Sequence, residues 1–301
     1  MTRTSRALLA SAVTVTLAGV LAACGQSEPD QVDEAADSPY TAGDLVLPDK
    51  PERIISLSGT TTEMLFAIGA GDQVEAVDML STYPADAPVT DLDAFTPNVE
   101  SITGYEPDLV VLSHDQDDII QKLTDVEVPV YYAPAAITLD DTYQQIADLG
   151  ALTGNDAAAE TLNKEIGTQI DELVADLPER DEPLTAYYEL DSSLYSMTSD
   201  TFAGSLMKLS GVENIADAAD DAAATGGYPQ LSAEFVLDSN PDLIFVSGDE
   251  AVGDVTGRDG WESVTAVADG NVIALDPDVA SRWGPRVVDL MTAITVAVAA
   301  V

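Results

Sequence analysis

The feature that most limits what this chain can become is one long helix signal near its middle. It runs from Asn155 to Leu177, NDAAAETLNKEIGTQIDELVADL. Gly154 reads as the end of a preceding helix, since glycine accepts the left-handed conformation found there. Asn155 suits an N-cap, and Asp156 puts negative charge on the first turn, where the helix dipole favours it. Apolar residues recur at Ala159, Leu162, Ile166, Ile170, Leu173 and Leu177, a spacing that keeps one stripe buried. Pro178 stops the run. At about 1.5 Å per residue it is about 33 Å long, enough to cross a small domain. Gly167 in its interior costs about 1 kcal/mol against alanine and suits the close approach of another element. Such a helix is either an ordinary crossover in one large α/β sheet or a strut between two lobes. The flanking sequence decides.

Before the helix, short apolar runs alternate with helical segments. Arg53–Ser58, Val74–Val77, Pro107–Ser113 and Pro129–Tyr132 read as strands, and Glu63–Ile68, Pro97–Ile102 and Asp117–Leu123 as helices, with Thr60 to Thr62 as a turn. After it, Leu184–Leu190, Leu243–Val246 and Val272–Leu275 read as strands and Phe202–Leu209 as a helix. Gly284-Pro285 is expected to open a final helix, with proline at the favoured first position. Strands alternating with helices predict parallel sheets covered on both faces. One segment recurs without gaps: NVESITGYEPDLVVLS at 98–113 and SAEFVLDSNPDLIFVS at 232–247. Each has glutamate in third place and Pro-Asp-Leu seven residues on. Pro-Asp-Leu alone is only a lead into a strand; with Glu100 and Glu234 at one offset it argues for a duplicated architecture. The expected fold is therefore α/β, two parallel-sheet lobes joined by a single long backbone helix. The lobes are 46–154 and 179–301, each with its own core, and the strut is 155–178.

The first 23 residues read as a targeting segment, with Arg3 and Arg6 ahead of an apolar stretch too short for a comfortable membrane span. Leu21-Ala22-Ala23-Cys24 resembles the bacterial lipoprotein signal, which makes Cys24 the expected lipid-bearing N-terminus; the alternative is a chance cysteine after an ordinary secretory signal. Cys24 is the only cysteine, so no internal disulfide can form. Residues 24–45 are polar and acidic and read as a flexible tether. Removing the leader leaves nine bases against 54 acids, a net charge of −45. That argues strongly against nucleic acid as a partner, because phosphates require basic groups. It also works against adsorption to an anionic membrane, so attachment requires the lipid. Any arginine near a cleft is a rare resource in such a chain.

The sequence resembles the substrate-binding proteins of importers for ferric siderophores, haem and cobalamin, the helical-backbone metal receptors. The resemblance covers nearly all of 45–301. It rests on Pro51-Glu-Arg-Ile-Ile-Ser-Leu-Ser58, Thr62-Glu-Met-Leu-Phe-Ala-Ile-Gly69, the paired Pro-Asp-Leu segments, Gly211-Val-Glu-Asn-Ile215 and Trp283-Gly-Pro-Arg286. It implies a ligand cleft between the lobes and little motion between them. It implies a metal chelate, a ferric siderophore or cobalamin, as ligand, with no resident cofactor or metal. The implied partners are a two-fold ABC permease with its cytoplasmic ATPase and, through the lipid anchor, the outer face of the bacterial cell membrane. It implies that Glu100 and Glu234 pair with arginines of that permease; the plainer alternative is two solvated acids among 54.

Cleft candidates lie in loops after strands. Thr60 is one. Tyr83, Phe95, Tyr195 and Tyr228 are aromatic residues in such loops, suited to a flat macrocycle or a catecholate, though each could equally serve packing. Tyr195 and Tyr228 fall where cobalamin receptors carry ligand-facing aromatics. Asp278, Arg282 and Trp283 match those receptors' contacts, and Arg286 is a landmark expected to fix its loop through hydrogen bonds. His114, the only histidine, follows the third strand and could ligate cobalt or iron; with no second ligand spaced nearby, an exposed loop histidine is the plainer reading. The loop Leu92–Pro97 lacks the tyrosine common in haem receptors, which counts against haem. The competing classes are a lipid-anchored extracellular enzyme such as a carboxylate-dependent hydrolase, a haem receptor of the same family, and a scaffold that has lost its ligand. No nucleophile elbow, phosphate loop, dinucleotide fingerprint or His-Glu-x-x-His is present.

Overall fold

The computed structural model describes residues 39–301. The leader, Cys24 and most of the expected tether lie outside the described residues. The tether's expected end does not hold: β1 (Tyr40–Ala42) and β2 (Leu45–Leu47) form an antiparallel hairpin. Ala42 and Leu47 are buried and Tyr40 and Leu45 partly so, so these side chains seat the hairpin on the core.

The amino-terminal lobe follows as β3 (Ile54–Leu57), α1 (Gly59–Ala67), β4 (Val74–Val77), α2 (Val99–Thr103), β5 (Leu109–Leu112), α3 (Ile119–Thr124) and β6 (Val130–Tyr132). Then come α4 (Leu139–Thr153) and the long helix α5 (Asp156–Ala175). The carboxyl-terminal lobe is β7 (Leu184–Glu189), α6 (Phe202–Leu209), β8 (Val212–Asn214), α7 (Ala233–Ser239), β9 (Leu243–Ser247), α8 (Asp249–Thr256), α9 (Thr265–Ala268), β10 (Val272–Leu275), α10 (Pro277–Ala280) and α11 (Val287–Ala300). The sheets run β4-β3-β5-β6 and β10-β9-β7-β8, all parallel. Each lobe places its first strand between its second and third, with the fourth outermost. The repeated topology is the duplication expected from the paired segments.

Those segments have a shared physical job. Asp108 Oδ2 accepts from the backbone N–H of Glu52 and Arg53 at 3.0 Å each, while Asp108 N–H donates to Arg53 O at 2.9 Å. Asp242 Oδ2 accepts from Thr185 N–H at 2.8 Å, and its own N–H donates to Thr185 O at 3.0 Å. In each lobe the Pro-Asp turn pins the start of the third strand to the start of the first. Side-chain caps open both preceding helices: Asn98 accepts from Ser101 N–H at 2.9 Å and Ser232 from Phe235 N–H at 3.1 Å.

The expectation of a separate core in each lobe is corrected. One cluster runs from Ile54, Met64 and Leu109 in the first lobe, past Ile166 and Ile170 of α5, to Tyr188, Phe245 and Met291 in the second. The other faces of the two sheets carry smaller clusters around Ile55, Val110 and Leu112, and around Tyr187, Ile244 and Trp261. Successive residues of β3 and β5 alternate between the shared cluster and the outer one, as the pleat requires.

Four local expectations also change. Thr60 to Thr62 lie in α1, not a turn, and the hydroxyls of the last two are satisfied inward: Thr61 donates to Ser58 O at 3.2 Å, and Thr62 reaches Ser56 and Ser81 at 2.9 Å. Asn155 holds the N-cap position of α5 as expected, but its side chain makes no capping bond; its amide donates instead to Thr153 O and Oγ1 at 3.0 and 2.9 Å. A Cβ on Gly167 would meet only the Tyr143 side chain, at the 3.5 Å of ordinary contact. The close approach is at Gly150, where a Cβ would stand 2.5 Å from the Ala159 Cβ. Finally, α11 begins at Val287 and not at Pro285. Trp283 O accepts from Thr142 Oγ1 at 2.8 Å and Arg286 reaches back to Glu63, so long-range partners hold 283–286 before the helix can start.

Candidate functional site

The loops beyond the carboxyl ends of both sheets face one another, the place where open α/β sheets bind ligands. Two hollows open there and share Ser281, Arg282 and Trp283. The first, about 300 Å³, takes Leu57 to Thr60 from the end of β3, Asp78 and Leu80 after β4, Phe95, and His114 after β5. The second, about 290 Å³, takes Ala135 and Ala136 after β6, Leu190 after β7, Ser247 at the end of β9, and Met197, Phe202 and Tyr228. Each is near the lower bound of about 300 Å³ for small-molecule pockets, and joined through Arg282 and Trp283 they form one trough. The walls are largely apolar and aromatic. The charged side chains among them are Asp78, Asp278 and Arg282.

Trp283 is fixed from behind, its Nε1–H donating to Gln145 Oε1 at 2.8 Å. Phe95 and His114 sit as a tilted pair on the opposite wall, ring centroids 5.7 Å apart. Tyr228 lines the second hollow, and burial pushes its hydroxyl pKa up. Thr60 is buried and Asp278 exposed. Tyr83 and Tyr195 stand apart from the trough. Tyr83 lies under the Arg286 guanidinium, 4.5 Å from Cζ to ring centroid, in a separate hollow beside α5 and α11. Tyr195 is exposed, and its backbone bridges to Gln230.

Arg282 is committed within the protein. Its Nη1 donates to Glu63 Oε1 at 2.5 Å and its Nη2 to Leu80 O at 2.8 Å, with Asp278 Oδ1 3.6 Å from Nη2. The guanidinium lies against the start of α1, where a Cβ on Gly59 would come within 2.8 Å of Cζ. Only glycine leaves that space. Arg286 grips the same carboxylate through Nε at 2.9 Å and Nη2 at 2.6 Å, holding its loop as the sequence suggests, and this pairing raises its already high pKa. Glu63 thus joins α1 of one lobe to the loop before α11 of the other from a side chain 1% exposed. Behind it, Asp78 accepts from Ser81 and belongs to a buried hydroxyl chain through Thr62 to Ser56. Burial pushes the Asp78 carboxyl pKa up against the opposing pull of Ser81, the Leu80 N–H and Arg282.

Sequence reasoning missed Glu63 and Asp78. Among 54 acids neither stands out by composition. The one available signal is that Glu63 sits in the Thr62–Gly69 motif, and that in a base-poor chain two arginines four residues apart need a partner. It also missed Phe202 and Met197, whose apolar character suits core or cleft equally. Glu100 and Glu234 are both exposed, each at the second position of a capped short helix, one per lobe. Among the described residues no group of three or more His, Cys, Asp or Glu is placed to hold a metal ion, and no helix is long and apolar enough to cross a membrane.

Two parallel-sheet lobes, one connecting helix and an interlobe trough define a bilobal solute receptor. The periplasmic binding protein model matches residues 54–279, and the chain belongs to that family. Its relatives include an ABC transporter substrate-binding lipoprotein of Bacillus subtilis, YvrC, 29% identical over 271 residues, 87% of this chain and 82% of that one. A cobalamin-binding protein of Halobacterium salinarum is 30% identical over 302 residues, 94% of this chain and 81% of that one. Among solved structures, a possible iron-binding, periplasmic solute-binding protein from Staphylococcus epidermidis superposes with a TM-score of 0.74 at 25% identity, over 83% of this chain and 99% of that one. The family is one of extracytoplasmic binding proteins, and these matches give the hydrolase alternative no support.

Proposed function

We propose that this chain is the substrate-binding lipoprotein of an ABC importer, taking a metal chelate, cobalamin or a ferric siderophore, into the interlobe trough and delivering it to a two-fold permease served by a cytoplasmic ATPase. The observation that carries the reading is the trough itself. Loops from both sheets converge on Arg282 and Trp283, with aromatic faces beside hydroxyl and charged groups, the make-up that suits a large, flat, partly polar ligand. The relatives named for cobalamin and for iron support the ligand class. Thr60, Phe95, His114, Tyr228, Asp278, Arg282 and Trp283 are the proposed contacts. The metal is part of the cargo, held by its own chelator, so the protein needs to supply shape and hydrogen bonds more than ligands.

Anchoring through Cys24 belongs to the same proposal and is supported by the leader motif and by the YvrC lipoprotein. Cys24→Ser should leave the protein unattached to membranes, and unchanged attachment would overturn it. The receptor reading is tested by mixing the purified chain with cyanocobalamin and a set of ferric siderophores and passing each mixture over a sizing column. A coloured chelate should co-elute at one per chain. Co-elution of none would contradict the reading.

A further inference from the structure

Resting on that reading, the geometry around Glu63 refines the class of chelate. In a chain this acidic, a cleft for an anionic ligand requires a basic group that is not already paired. Arg282 is the only basic side chain of Lys or Arg type lining the trough, among the described residues. Its charge is answered by Glu63, a carboxylate buried beneath it at 2.5 Å, and Asp278 stands 3.6 Å away on the open side. Arg286 cannot make up the difference, because it lies outside both hollows and is bound to the same Glu63. Asp78 and Asp278 add two further carboxyl groups to the wall. The group as a whole has no positive surplus.

We propose that Glu63 is a specificity-determining residue: by holding Arg282 it makes the trough selective for metal chelates with no net negative charge. An anionic chelate would shed water on entry and find its counter-charge already taken, with Asp78 and Asp278 lining the same hollow. A neutral or cationic chelate rich in amide or hydroxamate oxygens can accept hydrogen bonds from the remaining Arg282 N–H groups without needing the charge itself. The effect is local. Screening at about 1 M salt leaves interactions within about 3 Å, so selectivity persists at ionic strengths that hide the surface charge.

The test is calorimetric titration of the full chain at about pH 8, where free imidazole is neutral. The probes are cyanocobalamin, a neutral ferric trihydroxamate, the same core with a free amine, and a trianionic ferric tricatecholate. Wild type should bind at least one of the neutral or cationic probes at least about 100-fold more tightly than the tricatecholate, the scale of an unpaired buried charge. Glu63→Gln should narrow that gap at least about tenfold by releasing Arg282. Because Glu63 is buried and its variant can fail to fold, Asp278→Asn, at an exposed position, is measured beside it and should narrow the gap in the same direction. Tricatecholate binding as tight as the neutral probes, or a gap unchanged in the folded variants, overturns the proposal. Binding of no probe of any charge overturns the receptor reading beneath it.

Discussion

Of the nine basic residues outside the leader, Arg258, Arg282 and Arg286 are committed to buried glutamates. Arg258 clasps Glu189 with two bonds of 2.7 Å and lies 4.3 Å over the Trp261 ring. Glu189 is 4% exposed, so Arg258→Ala would strand a buried charge. The expected loss is about 3–5 kcal/mol by urea unfolding, and a loss below about 1 kcal/mol would show that Glu189 finds water or a proton instead. Titration offers a second check. Although burial opposes it, the Asp108 carboxyl is held below the usual range by the N–H groups of Glu52 and Arg53 and by the Arg53 guanidinium. A depressed carboxyl stabilises the fold above its unfolded pKa, about 3.9, and that contribution is lost as pH falls through the folded value. The stability difference between wild type and Asp108→Asn should therefore shrink below about pH 4; a constant difference would contradict the assignment. At this scale the sequence was only half legible. The scarcity of arginine pointed to Arg282, but its partner was one acid among 54, and only the fold brings residues 219 positions apart into contact.

The long helix was legible because burial of one face writes a period into the sequence. Ala159, Ile166 and Ile170 are buried as that period requires, with Leu162 and Leu173 partly so. Its ends and its contacts were less legible, because they depend on neighbours. Glycine at 167 and at 150 look alike in sequence, yet at the crossing of α4 and α5 a Cβ on Gly150 would stand 2.5 Å from the Ala159 Cβ, whereas one on Gly167 would meet the Tyr143 side chain at an ordinary 3.5 Å. Gly150→Ala should destabilise by about 1–3 kcal/mol through overpacking, whereas Gly167→Ala should be neutral or stabilise by up to about 1 kcal/mol. Thermal unfolding of the two variants distinguishes them, and equal effects would refute the account of the crossing. The strands β1, β2 and β8, three residues each, were not foreseen. Segments that short carry too few residues to show a period: the equally short β6 is legible only as part of the proline-led run Pro129–Tyr132, and β1, β2 and β8 are defined by their pairing partners. The start of α11 was misplaced because proline's local preference yields to the contacts of Trp283 and Arg286.

At the scale of the molecule, the duplicated Pro-Asp-Leu segments made the two lobes legible, and the matching strand order bears them out. What the sequence could not convey is that the lobes share a core: a continuous cluster and a buried Glu63 clamp join them, which suits a receptor that opens little. Glu100 and Glu234 sit at equivalent exposed places on the two lobes, so a two-fold partner can meet both alike. Replacing both by alanine should abolish uptake in cells and leave chelate affinity unchanged, since such rim charges act on encounter and orientation; lost affinity would move them into the ligand site, and surviving uptake would end the docking assignment. The central claim, that the trough between the lobes is the binding site, is most directly tested by tryptophan fluorescence. Trp283 lines both hollows, whereas Trp261 is buried in the outer core of the second lobe. Titration with cyanocobalamin or the tightest ferric chelate should quench wild-type emission to saturation at one ligand per chain, with most of the quench missing in Trp283→Phe. Quenching that is equal in the two proteins would place the ligand outside the trough and contradict the account.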